Sequence, residues 1–208
     1  MSKHMVLARE FRPNSFDDLI GQENIVQALK HGLEQQRHHH AYLFTGTRGV
    51  GKTTLARIIA KCLNCDRGVS ATPCHACASC KSIADGSFMD LYEVDAASKT
   101  KVEDTRDLLL NAQYAPVQGR YKVFLIDEVH MLSKHSFNAL LKTLEEPPDH
   151  LQFLLATTEP EKLPATIISR CIHFKLRPLS VAQLTSHLAT ILSQKNIAHE
   201  KGALEWIA

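Results

Sequence analysis

Neither sign of charge dominates this sequence: 24 Lys and Arg stand against 22 Asp and Glu, a formal net charge of +2. The near-balance excludes a bulk electrostatic grip on nucleic acid, so any contact with a phosphate backbone must come from a local patch. Long hydrophobic runs are also missing, and none approaches the ~20 apolar residues that cross a bilayer as a helix. Residues 1–6 lack the apolar stretch of a secretory signal, so the chain is expected in the cytoplasm, away from membranes. Internal repeats and low-complexity tracts are absent, which excludes solenoid and fibrous architectures. What is there is an ordinary globular composition, 44% hydrophobic and 22% charged over 208 residues. That suffices for one α/β domain with a sizeable core and the start of a second. Six cysteines in a reducing compartment point to metal binding or packing before disulfides.

Short apolar runs alternate with helical patterns along the chain. The runs lie at residues 41–45, 90–94, 121–126, 151–157 and 172–174. Between them, Ile25, Ala28, Leu29 and Leu33, and later Phe137, Leu140, Leu141 and Leu144, repeat with helical spacing. Ser15-Phe16-Asp17-Asp18 reads as a helix start, and Pro147-Pro148 as a helix stop. This alternation predicts a parallel sheet covered by helices. Ser180 caps a last stripe of Leu184, Leu188, Ile191 and Leu192 behind Arg177-Pro178-Leu179. A nucleotide-binding domain is therefore expected over residues 1–177 and the start of a helical domain, cut short, over 178–208.

Gly46-Thr47-Arg48-Gly49-Val50-Gly51-Lys52-Thr53, followed by Thr54, fits the phosphate-cradling P-loop, and it sits where that loop must, between an apolar strand and a helix. Glycines let successive backbone N–H groups turn toward a β-phosphate at a helix N-terminus. Lys52 then reaches the β/γ oxygens and Thr53 holds Mg²⁺, which makes a nucleoside triphosphate the expected ligand. Residues 121–126 run into Asp127-Glu128, two carboxylates at the end of a buried strand, where open α/β sheets bind ligands. Asp127 is expected to complete the Mg²⁺ shell with Thr53, and Glu128 to orient and polarise an attacking water. Thr157 or Thr158, closing a further strand, can hydrogen-bond the γ-phosphate or that water.

Cys65, Cys74, Cys77 and Cys80 form C-x8-C-x2-C-x2-C within an insertion at about residues 62–82. Four thiolates close a tetrahedral shell, with zinc as the favoured occupant and an iron–sulfur cluster as the rival. No acid or base stands beside them, so a structural metal is expected, with a nucleic-acid-binding knuckle as the other reading. Cys62 and Cys171 read as small core residues.

Together these residues resemble the AAA+ clamp-loader ATPases, most closely the gamma/tau family of bacterial DNA polymerase III. The likeness rests on residues 12–22, the P-loop, the cysteine insertion, Asp127-Glu128-Val129-His130, residues 140–147 and Ser169-Arg170-Cys171. It implies a motor subunit that hydrolyses ATP within a hetero-oligomer of clamp-loader subunits, loading the sliding clamp onto primer–template DNA for the polymerase III holoenzyme. It makes Arg170 an arginine finger acting on a neighbouring subunit and Thr157 the sensor of the γ-phosphate. It also places residues 8–21 near the adenine, and Ser98, Lys99, Thr100 and Lys101 on the DNA backbone. Two lysines at a helix start are independently a good phosphate site. The family's second sensor arginine falls beyond Ala208, and no two-metal polymerase carboxylate set is present. A helicase-like AAA+ motor, a P-loop phosphotransferase and a non-hydrolysing scaffold are the alternatives.

Overall fold

The computed structural model describes residues 7–98 and 111–207. Its frame is a five-stranded, wholly parallel sheet of β1 (Ala41–Thr45), β2 (Leu91–Asp95), β3 (Lys122–Asp127), β4 (Leu151–Thr157) and β5 (Ile172–Lys175), in the order β2-β3-β4-β1-β5. Each apolar run of the sequence is one of these strands, to within one or two residues. The central strands β1 and β4 are buried at every position, as continuous apolar runs in a sheet covered on both faces should be.

Alternation along the strands sorts the core into two layers. Tyr42, Phe44, Val123, Leu125 and Leu154 pack on one face against Leu29, Leu33, Leu55, Ile58 and Ile59. Leu43, Phe124, Ile126, Phe153 and Leu155 pack on the other against Leu140, Leu144 and Ile167. The helices, numbered among the described residues, are α1 (Leu7–Glu10), α2 (Glu23–Glu34), α3 (Lys52–Asn64), α4 (Ala78–Asp85), α5 (Lys134–Glu145), α6 (Ala165–Ile168), α7 (Val181–Gln194) and α8 (Lys201–Ile207). None is long and apolar enough to cross a membrane.

The expected helix start at Ser15 gives only one 3₁₀ turn, Phe16–Asp18, closed by a Ser15/Asp18 capping box. Leu19 is already extended and α2 begins at Glu23. Gln22, 5% exposed, explains the break: its side-chain amide donates to Arg177 O at 2.7 Å and accepts from Arg177 N at 3.2 Å. The N-terminal segment is thereby stitched to the chain leaving β5. Ser180 caps α7 with a Ser180/Gln183 capping box, as its position in the sequence suggests. No residue of α7 is buried, in contrast to the stripes of α2 and α5, which place Leu29, Leu33, Leu140 and Leu144 in the core.

Candidate active site

β1 delivers the chain to the C-terminal edge of the sheet, where it must turn sharply into α3. Gly46 makes the turn with φ +147, and a Cβ there would lie 2.8 Å from Leu176 O, so no side chain fits. Gly51, the N-cap of α3, holds φ +99, a left-handed region that glycine enters without strain. The N–H groups of the first turn of α3 consequently point out of the loop with the positive end of the helix dipole behind them. Lys52 is 6% exposed and its Nζ donates to the carbonyls of Gly46 and Thr47 at 2.9 and 3.0 Å. Burial pulls this lysine below its ordinary range, and the facing Glu128 and Asp127 carboxylates work against that pull.

Thr53 Oγ1 donates to Asp127 Oδ2 at 2.8 Å, so the predicted pair of metal-side oxygens is in contact although the residues lie 74 apart in sequence. Glu128 follows with φ 48 and ψ 48, a left-handed conformation that costs a non-glycine residue about 1–3 kcal/mol and persists only where surroundings enforce it. Here its N–H donates to Asp127 Oδ1 at 3.0 Å and its carbonyl accepts from Met131 N at 2.8 Å. The turn swings the Glu128 carboxylate toward the end of β4, where Oε2 accepts from Thr158 N at 3.0 Å and Thr158 Oγ1 at 2.9 Å.

The sequence left two threonines for this place and the resemblance favoured Thr157. It is Thr158 whose hydroxyl reaches Glu128. Thr157 is fully buried, and its Oγ1 meets His130 Nδ1 at 2.8 Å and accepts from Glu159 N at 3.0 Å. The reason is strand alternation: Thr157 is the last residue of β4 and points into the protein, while Thr158 lies just past the strand end. Thr158 was one of the two threonines the sequence offered, whereas no role was read for His130, which entered only as part of the Asp127-Glu128-Val129-His130 motif.

Lys52, Thr53, Asp127 and Glu128 line a cleft of about 410 Å³ that also admits Arg12, Arg48 and Asp95. Asp95 lies beside Asp127 in the β2/β3 register, and its Oδ1 accepts from Ala97 N at 3.0 Å. A second cavity of about 400 Å³ shares Arg48, Gly49, Gly51 and Thr54 with the first and is walled by Leu19, Ile20, Val50, Pro178, Leu179, Leu184 and His187. The combined depression is thus polar at one end and largely apolar at the other, as a charged phosphate tail and a flat heterocycle require. Arg12, anchored by its Nε on Thr54 Oγ1 at 3.2 Å, stands at the polar end.

The cysteine module lies past the C-terminus of α3. The sulfurs of Cys65, Cys74, Cys77 and Cys80 are all within 4.8 Å of one another, an arrangement that can hold a metal ion. Backbone N–H groups of Cys74, Cys77 and Cys80 each point at a sulfur of the preceding cysteine at 3.3–3.4 Å. Such bonds favour thiolate: N–H donors from Ala76 and Cys77 bring Cys74 down to about 6. Burial pushes Cys80 up instead, and a bound cation would draw both to the thiolate. Cys62 and Cys171, outside the cluster, are pushed to about 12 by burial and are inert packing residues as expected. His75 takes φ 56 between two of the ligands and is exposed.

Arg170 does not line the cleft. Its guanidinium, partly exposed, pairs with Glu145 at 2.7 Å and donates to Thr166 O at 2.8 Å. Ser98 ends a turn after β2, with its N–H donating to Asp95 O at 3.2 Å. Lys99, Thr100 and Lys101 lie outside the described residues.

Comparison with known proteins places this geometry. The chain is 62% identical to the DNA polymerase III subunit tau of Escherichia coli K12 over 205 residues, covering 99% of this chain and 32% of that protein. It is 63% identical to the tau/gamma subunit of Haemophilus influenzae, with 99% and 30% covered. It is 52% identical to the gamma subunit of Buchnera aphidicola from Acyrthosiphon pisum, with 99% and 57% covered. The chain therefore spans about a third of the tau relatives and a little over half of the gamma relative. Among solved structures it resembles the RuvB Holliday junction branch migration motor of Thermotoga maritima, with a TM-score of 0.66 and 27% identity over 94% of this chain and 58% of that one. This likeness agrees with the AAA+ sheet expected from the sequence. The profile described as DNA polymerase III, delta subunit, matches residues 21–180, and the chain belongs to that family.

Proposed function

We propose that this chain is the nucleotide-binding part of the ATP-driven motor subunit of the DNA polymerase III clamp loader. The observation that carries the reading is the cleft itself: a buried P-loop lysine, a Thr53–Asp127 contact and a fixed Glu128 converge at the C-terminal edge of a parallel sheet. ATP is the substrate. The N–H groups of residues 46–53 and Lys52 would hold its β- and γ-phosphates, and the apolar cavity beside Ile20, Val50 and Leu184 would take the base. Thr53 and Asp127 would hold Mg²⁺, which supplies charge neutralisation on the phosphate oxygens when bound. Glu128 orients and deprotonates the attacking water, and Thr158, in place of Thr157, is the hydroxyl that senses occupancy of the γ-position.

The Cys65, Cys74, Cys77 and Cys80 set fits zinc by donor chemistry and completes its shell with no open position, which makes its role structural. Arg170, outside its own cleft, would complete the site of a neighbouring subunit, and residues from 178 onward begin the helical lid. In this reading nucleotide binding arranges the subunits around primer–template DNA with the sliding clamp open, and hydrolysis releases the closed clamp. The likeness to a branch migration motor makes a DNA-translocating motor the second reading. The far higher identity to gamma and tau subunits favours the loader.

The decisive experiment uses full-length protein assembled with its partner subunits. Glu128→Gln is expected to bind ATP normally while hydrolysis falls by about 10² or more, the usual worth of a general base. Wild-type turnover by this variant would defeat the assignment of the cleft. Clamp loading on primed DNA without strand unwinding separates the two motors. Arg170→Ala is expected to keep nucleotide affinity and to lose hydrolysis by about 10³ in the assembly. Loss of affinity in the isolated subunit would mean that Arg170 acts on its own site.

A further inference from the structure

Glu128 is held by two donors from a single residue, Thr158, and Thr158 has no side-chain anchor of its own beyond that contact among the hydrogen bonds described. Its position is fixed from either side. Thr157 Oγ1 meets His130 Nδ1 at 2.8 Å, and Glu159 Oε1 meets His130 Nε2 at 3.1 Å. One imidazole therefore grips the two residues that flank Thr158. The same ring comes within 3.4 Å of Glu128 Oε2 through Nδ1. Only 5% of the His130 side chain is exposed, and the ring projects from the 3₁₀ turn Val129–Met131 that begins at the left-handed Glu128.

Thr157 Oγ1 accepts from Glu159 N at 3.0 Å, so its own proton is available to His130 Nδ1. Nε2 faces the Glu159 carboxylate and can donate to it, while Nδ1 pairs with the Thr157 hydroxyl. Glu159 is secured in turn by Lys162 at 2.6 Å, which with His130 holds its carboxyl below the usual range. The chain of contacts runs from Lys162 through Glu159 and His130 to Thr157, and it frames the Thr158 donors on Glu128.

We propose that His130 is a positioning residue for hydrolysis: by clamping Thr157 and Glu159 it sets the Thr158 N–H and hydroxyl that fix the Glu128 carboxylate. The proposal rests on the reading of the cleft as an ATP-hydrolysing site. Replacing the ring by an apolar one of similar size removes both bonds while the packing remains. The strand end at residues 157–159 then relaxes, and misplacement by as little as ~1 Å can cost up to about 10² in rate.

The test is steady-state ATP hydrolysis by full-length protein in the assembled loader with primed DNA, comparing His130→Phe, His130→Asn and Glu128→Gln. His130→Phe is expected to lower kcat at least about tenfold while KM for ATP and the melting temperature stay near wild type. His130→Asn, whose amide can still pair with Thr157 near the Nδ1 position, is expected to recover part of kcat. Wild-type kcat in His130→Phe overturns the proposal, and so does an Asn variant no better than Phe, because the polar link would then be irrelevant. A rise in KM or a fall in melting temperature that accounts for the whole loss assigns His130 to structure alone and also overturns it. Glu128→Gln separates the two levels. If it turns over like wild type, the reading of the cleft fails; if it is inactive while His130→Phe is normal, only the positioning role fails.

Discussion

The cysteine module and the nucleotide cleft both gather metal-binding groups, and they do so over very different lengths of chain. The module draws its four sulfurs from residues 65–80. The cleft joins Thr53 to Asp127 and Glu128 to Thr158, contacts that only the β1-β4-β3 sheet order makes possible. A site built from a short segment keeps its spacing whatever the rest of the fold does, so its chemistry is written in the sequence. A site built across strands depends on register, where a shift by one residue turns each side chain to the opposite face.

The two regions are nevertheless joined through α3, which opens at Lys52 in the cleft and ends at Asn64 beside the module. Asn64 pairs with both backbone polar groups of Tyr121, at 2.9 and 3.1 Å, and Arg120 reaches the carbonyls of Cys65 and Asp66. Asp90, fully buried, accepts from the N–H groups of Val117, Gln118 and Gly119 at 2.6–2.7 Å. The loop feeding β3, and hence Asp127 and Glu128, is therefore bolted to the cysteine module.

A paired substitution gives the largest effects and breaks the comparison most directly. Lys52→Ala should abolish ATP binding measured by calorimetry and leave the metal content of the module at one ion. Cys77→Ser should lose that ion and melt the module, seen by elemental analysis and hydrogen exchange over residues 65–80, while ATP affinity changes by no more than about threefold, since no shared ligand is lost. Loss of ATP binding in Cys77→Ser would show that the two sites are one unit.

A smaller effect tests how the loop feeding β3 is anchored ahead of β2. Asp90→Ala removes the buried carboxylate that accepts from three N–H groups of this half-exposed loop, so a loss of about 2 kcal/mol is expected by denaturant unfolding, together with faster exchange at Val117, Gln118 and Gly119. An unchanged midpoint would mean that the loop is held elsewhere.

The smallest effect comes from the opposite edge of the sheet, where His38, His39, His40 and His150 precede β1 and β4 and carry no part of the proposed chemistry. Burial lowers His38 and His40 below the ordinary imidazole range. As pH falls through about 6.5 the unfolded imidazoles gain protons before the folded ones, so stability is present above that pH and declines below it. Melting temperature should fall between pH 7 and pH 5, and the decline should shrink in His38→Phe with His40→Phe. An acid profile untouched by both replacements would assign the sensitivity to other groups.

Much of this was legible in the residues. Every strand run, the caps at Ser15 and Ser180, the P-loop and the four-cysteine set follow from local pattern, because short apolar runs, helix capping and thiolate spacing act within a few residues. The choice between Thr157 and Thr158 was not legible, since it depends on where β4 ends and which way its last residue points. Nor were the roles of Asp90 and His130, whose partners lie 27 to 29 residues away.

By itself, then, the sequence determined that a parallel α/β sheet carries a phosphate loop, two carboxylates and a thiolate cluster, because each is a short-range pattern with a direct physical cause. Tertiary structure alone decided that Thr53 meets Asp127, that Thr158 and not Thr157 holds Glu128, and that one buried imidazole frames them. Those contacts depend on strand order, register and burial, which close only when distant segments pack.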